Sequence, residues 1–186
     1  MRKLFVAALL GSTFLFPTAS YAESSYLKLG LGESTYSGDP NKSSTAGLLA
    51  YGWKIYPNMF AEIGYIDFGS ASTKFSPDLG INLVDRIKTQ SIYAAGISSV
   101  PLSSFVSFQG KLGLVMHHTN TYAKIQFPDQ SFSDDATHRK TRLLVGAGLS
   151  AQFTKEISGL VDYTYFGAAV DGRVISLISA NLQYHF

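Results

Sequence analysis

Apolar and polar residues alternate along most of the chain with a period of two. In "YLKLGLG", residues 26–32, Leu27, Leu29 and Leu31 fall on one side and Lys28, Gly30 and Gly32 on the other, the pattern of a strand with two unlike faces. "LLAYGWKI", residues 48–55, sets Leu49, Tyr51, Trp53 and Ile55 against Ala50, Gly52 and Lys54. A tight turn at Pro57-Asn58 then leads into "MFAEIGYIDFG", residues 59–69, as the returning strand. Residues 92–100 and 105–116 flank "PLS", with Val106, Phe108, Gly110, Leu112 and Leu114 opposed to Ser107, Gln109, Lys111 and Gly113. Residues 142–153 and 157–166 flank "TKE", and residues 174–186 end the series with Ile178, Ala180, Leu182, Tyr184 and Phe186 on one face. The pattern predicts eight strands.

Their connections alternate in length. Those at residues 56–58, 101–103 and 154–156 are a few residues each, whereas "ESTYSGDPNKSST" after the first strand, residues 70–88 and residues 117–140 are long and polar, and a moderate one spans residues 167–173. A membrane-spanning barrel has this asymmetry, with short periplasmic turns, longer external loops and an even strand number that returns both ends to the periplasm. Strands of roughly 9–11 residues suffice to cross a bilayer when tilted, and closure satisfies backbone groups that lipid would leave bare. The expected fold is therefore all-β, an eight-stranded antiparallel transmembrane β-barrel. Its Gly-, Ser- and Ala-rich face would fill the narrow lumen and its Leu, Val, Ile and aromatic face would meet lipid. A secreted lipid-carrying barrel is the soluble alternative, with the apolar face turned inward. Trp53, Tyr56, Phe60, Phe105, Phe153, Tyr184 and Phe186 near the short turns, and Tyr36, Phe68, Tyr165 and Phe166 near the long connections, would form two interfacial girdles.

The amino-terminal segment has a different character. Arg2 and Lys3 precede an apolar run over residues 4–16, and Ser20 and Ala22 supply small residues before Glu23, so residues 1–22 are expected to be an export signal and residues 23–186 the barrel. The run is too short for a membrane helix. Without Arg2 and Lys3 the remaining chain has 13 basic and 13 acidic side chains, a balance that gives no support to nucleic-acid binding. There is no cysteine, hence no disulfide and no thiolate metal site.

The segment "FAEIGYIDFG", residues 60–69, resembles the third strand of the small outer-membrane barrels typified by the OmpA transmembrane domain and its opacity-like relatives. The likeness extends through "YLKLGLG", "VPLS", "GKLGL" and "LQYHF". In that family the last strand, alternating apolar residues up to a terminal Phe, is a recognition signal for the barrel assembly machinery. The resemblance assigns this role to Leu182, Tyr184 and Phe186. The chain departs from full-length OmpA in that it is expected to end at the barrel, with no peptidoglycan-binding domain, which removes direct cell-wall anchoring from the expected roles.

Charged residues on the lumen-facing register are Lys28, Glu62, Lys111 and Asp162, with Arg142 near the outer end of the sixth strand. Opposite charges there could pair and plug the barrel, since a buried charge is tolerable only when paired and hydrogen-bonded; separate solvation in a wet lumen is the alternative. The family resemblance makes Glu62 the inward glutamate of its third strand, with Lys111 or Lys28 as partner. Eight strands leave room for side chains rather than solutes, so general diffusion is not expected and a low-conductance ion path is the channel alternative.

Catalytic chemistry lacks a constellation. His117, His118 and His138 accompany Asp129, Asp134 and Asp135, but their spacing matches no specific zinc motif, and neither metal nor cofactor is expected. His185 would lie at the opposite end from the outer rim, where a lipid-modifying barrel enzyme would need it. The expected role is therefore structural or adhesin-like. Its partners would be outer-membrane lipid and lipopolysaccharide, and a host or extracellular ligand at residues 33–46, 70–88 and 117–140, where a rigid scaffold would present binding loops.

Overall fold

The computed structural model describes residues 25–37, 43–75, 82–126, 131–170 and 173–186. The expected export signal lies outside these residues, as does Asp129. The strands are β1 (Ser25–Tyr36), β2 (Ser43–Tyr56), β3 (Met59–Phe75), β4 (Asn82–Pro101), β5 (Val106–Gln126), β6 (Ser131–Gln152), β7 (Ile157–Val170) and β8 (Arg173–His185). Each pairs antiparallel with its neighbours, and β1 closes on β8 through pairs such as Leu29↔Leu182, giving a barrel of eight strands.

The two faces sort as the alternation demands. Leu29, Leu31, Leu112, Leu143, Val161 and Ile178 are exposed on the outer wall, while Lys28, Glu62 and Gln183 are fully buried. Such a continuous apolar exterior is untenable in water, so the arrangement excludes the soluble carrier. The apolar outer band ends in a consistent ring: Glu33, Thr45, Asp67, Gln90, His118 and Thr141 are the first polar residues on the outward register of their strands.

At the short-turn end, Trp53, Tyr56, Phe105, Phe153, Tyr184 and Phe186 do face outward, and Tyr51, Trp53, Tyr184 and Phe186 form a chain of ring contacts across the β1–β2–β8 seam. Phe60 departs from the expectation, turning inward to meet Tyr26 edge-on at 5.6 Å. The other expected girdle is corrected more deeply. Tyr165 is outward, but Tyr36, Phe68 and Phe166 are buried inside the lumen. Period-two parity explains this, since Phe68 shares the register of Glu62 and Ile66 rather than that of Ile63 and Tyr65.

The long connections are also shorter than expected. Most of residues 33–46, 70–88 and 117–140 remain strand, and β4, β5 and β6 reach 20, 21 and 22 residues. Thr and Ile keep recurring at strand spacing beyond the apolar band, which favours continued pairing; Ile87↔Thr121 and Thr119↔His138 belong to these extended ladders.

Two glycines govern where the barrel ends and the extension begins. Gly69 (φ 74°) and Gly167 (φ 68°) adopt left-handed backbone at register shifts between Asp67 and Ser70 and between Tyr165 and Ala168, as bulges require. Beyond Asp67, β3 pairs with β4 alone. Beyond Val145, towards Ser131, β6 pairs with β5 alone. Among the described residues, β3 to β6 thus continue as a four-stranded sheet past the rest of the barrel.

Candidate functional site

The lumen has three layers. At the short-turn end lies a polar cavity of about 170 Å³ whose lining includes Lys54, Gln109, Ser158, Gln183 and His185. Ser158 Oγ is 2.9 Å from His185 Nε2 and also donates to Gln183 Oε1 at 3.1 Å. Sequence reasoning missed this contact; parity alone, with Ser158, Gln183 and His185 on one lumenal register, carried a signal for it.

The middle layer brings together four of the five charged residues expected inside. Lys28 Nζ donates to Glu62 Oε2 at 2.5 Å. Lys111 Nζ stands 3.4 Å from Glu62 Oε1 and 3.4 Å from Asp162 Oδ2. Two tyrosines complete the shell of Glu62, Tyr26 donating to Oε2 and Tyr93 to Oε1, each at 2.6 Å. Asp162 Oδ1 receives Ser179 at 2.5 Å and Asn181 at 2.9 Å. Two cations and two anions balance here, so the cluster satisfies the condition under which buried charge is stable.

Glycine supplies the room for this layer. Tyr26 pairs with Gly52 and Tyr93 with Gly64 across adjacent strands, and each ring lies where a side chain on the partner would stand. The Tyr93 ring also carries Lys111 Nζ 5.4 Å from its centroid, within the range of a cation–π contact. Sequence reasoning missed the tyrosines, because a large residue facing cross-strand glycine is a relation that depends on register and not on one strand alone.

Arg142 does not join the cluster. It is exposed, and its Nε donates to the Ala168 carbonyl at 3.0 Å, because the Gly167 bulge carries β7 past it. The guanidinium therefore ties β6 to β7 at the point where the two strands part.

Above the charges the lumen is apolar. Tyr36, Leu48, Ile66, Phe68, Val115, Leu144, Phe166, Ile175 and Leu177 belong to one buried cluster, with Phe68 and Phe166 edge-to-face at 5.1 Å. His117 is buried at its edge, Nδ1 2.7 Å from Ser91 Oγ and Nε2 2.9 Å from the Phe166 carbonyl oxygen. His118 lies on the outward register, its Nδ1 accepting from Arg139 Nε at 3.3 Å. The adjacent histidines thus point to opposite faces of β5 and cannot converge on one ion. Among the described residues no group of three His, Asp or Glu side chains has metal-binding geometry.

An apolar outer wall, a closed ring of antiparallel strands and a side-chain-filled lumen define a transmembrane β-barrel. A family model, the OmpA-like transmembrane domain, matches residues 19–186, and the chain belongs to that family of bacterial outer-membrane barrels. Similar solved structures include Ail, the attachment invasion locus protein of Yersinia pestis, in complex with the heparin analogue sucrose octasulfate. It has 18% identity, covers 88% of this chain and 97% of its own, and has a TM-score of 0.54. Neisserial surface protein A gives 16% identity, 87% and 96% coverage and a TM-score of 0.54. OprG of Pseudomonas aeruginosa gives 11%, 89% and 97%, and 0.58. These likenesses establish the fold. No curated protein sequence matches the chain.

Proposed function

We propose that the protein is a non-conducting, non-catalytic outer-membrane barrel that acts through the sheet it raises beyond the membrane. The observation that carries this reading is the stacking of a neutralised charge layer beneath an apolar one. An ion crossing the lumen would have to displace Lys111 from its two carboxylates and then shed its water among Phe68, Phe166, Ile175 and Leu177, and an unpaired charge in such surroundings is costly. In this reading the short turns face the periplasm and the β3–β6 extension faces outward, because the longer hairpins of outer-membrane barrels are external.

The same orientation puts Leu182, Tyr184 and Phe186, all outward-facing, on the lipid side of the closing strand. There they serve as the assembly signal before they become membrane contacts. Lipopolysaccharide meets the ring of Lys88, Gln90, His118 and Arg139 on the outward register. The sulfated ligand in the Ail structure supports an anionic partner for the basic residues of the extension.

Planar-bilayer recording tests the sealed lumen. Folded protein and a Glu62→Gln variant are expected to be silent, the variant because the apolar layer still stands above the altered charges. Reproducible steps that change with Glu62→Gln would replace this reading with a low-conductance channel gated at Glu62.

A further inference from the structure

The polar cavity at the short-turn end has an uneven wall. The pairs Ser99↔Gln109, Ser107↔Ser150, Gln152↔Ser158 and Ser158↔Gln183 set polar side chains next to one another from β4 round to β8, since directly opposed residues share a face. The remaining side carries Tyr26, Phe60 and Ile97, with Lys54 paired opposite Phe60. Lys54, Lys155 and His185 line the cavity, and among the described residues no carboxylate does. Glu156, the acid of the 154–156 turn, receives Thr154 Oγ1 at 3.1 Å instead. Ser150 is buried, yet neither its hydroxyl nor the Gln109 side-chain amide has a hydrogen-bond partner among the described residues. A buried hydroxyl facing a cavity in this state is costly until something completes it.

The polar contacts within the cavity favour holding a ligand over cleaving one. Ser158 gives its proton to Gln183 Oε1, so His185 Nε2–H donates to Ser158 Oγ. Activation of a serine nucleophile needs the opposite arrangement, with the hydroxyl donating to the ring. The charge layer behind the cavity sums to zero, Lys28 and Lys111 against Glu62 and Asp162, and so leaves the positive character of the lining uncancelled.

We infer that this vestibule is a binding site for a phosphoryl group, carried by a small phosphate ester or by free phosphate, with Lys54, Gln109 and Ser150 among its donors. A tetrahedral oxyanion accepts on every oxygen, which suits donors supplied by several strands beside a cation. A carboxylate has only two oxygens and leaves more of those donors unmatched. The cavity of about 170 Å³ has room for several waters and hence for such an anion, and Phe60 and Ile97 offer an apolar side to a short carbon skeleton. The site goes beyond the sealed-barrel reading: its ligand enters and leaves by the short-turn mouth, periplasmic in that reading, and travels no farther.

The test titrates the full, isotope-labelled barrel in uncharged, phosphate-free detergent micelles with glycerol 3-phosphate, inorganic phosphate, acetate and glycerol, following the Gln109 side-chain amide and the Ser150 backbone amide by NMR. Both phosphates are expected to shift these signals saturably, acetate to bind about tenfold more weakly and glycerol not at all. Tighter binding of glycerol 3-phosphate assigns the site to an ester, and equal or tighter binding of inorganic phosphate assigns it to the free ion. Lys54→Gln and Ser150→Ala, their folding checked by heat-dependent gel mobility, should each weaken phosphate about tenfold, the loss of one charge-assisted hydrogen bond. Lys88→Gln, at the other end of the barrel, should leave affinity unchanged. No saturable shift, equal binding of acetate, or a loss with Lys88→Gln as large as with Lys54→Gln would overturn the proposal. Binding in micelles is independent of conductance, so a failed vestibule with silent bilayers would leave the sealed barrel standing, and conductance steps with phosphate still bound would do the reverse.

Discussion

Lys111 Nζ stands 3.4 Å from a carboxylate oxygen of Glu62 and 3.4 Å from one of Asp162, joining two anions on opposite sides of the lumen. Replacing it with Met would leave Asp162 with its Ser179 and Asn181 bonds but no adjacent cation. Removing one member of a buried ion pair costs about 3–5 kcal/mol. We expect Lys111→Met to lower the urea midpoint of refolded barrel accordingly, and Lys111→Met/Asp162→Asn to recover part of the loss. A double variant as unstable as the sum of its single changes would show that the two groups do not interact.

The glycines opposite the lumenal tyrosines are space-makers, which sets them apart from glycines on the outer wall. A side chain at Gly64 would collide with the Tyr93 ring, whereas nothing lies within 4 Å of a Cβ at Gly110. Gly64→Val should destabilise the barrel by about 1–3 kcal/mol, the usual cost of overpacking. Gly110→Val, facing lipid, should lie within about 0.5 kcal/mol of the parent. Thermal unfolding followed by gel mobility compares the two, and equal effects would contradict the role assigned to Gly64.

Asp67 provides a pH-dependent contact at the upper edge of the apolar band. Burial alone would raise its carboxyl, but hydrogen bonds from Gln90 and the Gly69 N–H, together with Lys88, outweigh burial and hold it below its ordinary 3.8. A depressed folded-state value stabilises the fold above the unfolded value, and that contribution is lost as pH falls through the lower folded value. Carboxyl-carbon titration of the folded barrel should give a midpoint below 3.8 for Asp67, and Gln90→Leu should move it upward. A parent midpoint at or above the ordinary value would remove the link between this contact and acid stability.

Phe186 is the place to test the proposed assembly role apart from stability. It is exposed and touches Tyr51 and Tyr184 through ring contacts of 6.3 and 6.2 Å, so Phe186→Ala should cost the folded barrel no more than about 1.5 kcal/mol. If Phe186 belongs to the proposed assembly signal, the same change should reduce the folded fraction in cells several-fold while leaving refolding into detergent nearly intact. Parallel losses in both settings would make Phe186 a packing residue only.

Much of this architecture was visible in the alternation, because the strand period ties each side chain to a face. Lys28, Glu62, Lys111 and Asp162 met as their parity required. Tyr36, Phe68 and Phe166 obey the same rule, yet their size suggested the interface; parity prevailed because the upper lumen is wide enough to hold rings. Arg142 was misplaced for a different reason. Its position depends on the Gly167 bulge, a break in register that no periodic pattern announces. The length of β4 to β6 was hidden by composition, since polarity marks departure from lipid but not the end of backbone pairing. Tyr26 and Tyr93 required knowing which glycine lay across from each.

The apolar layer between Phe68 and Leu177 also has a thermal consequence. The outer wall of the barrel draws no hydrophobic stabilisation from leaving water while it remains in lipid, but this inner cluster is withdrawn from water as the interior of a soluble domain is. Its contribution therefore carries a heat-capacity increment and weakens on cooling. The half of the barrel that bears the extended sheet is the half whose cohesion fades in the cold, while the hydrogen-bonded charges beneath it keep theirs.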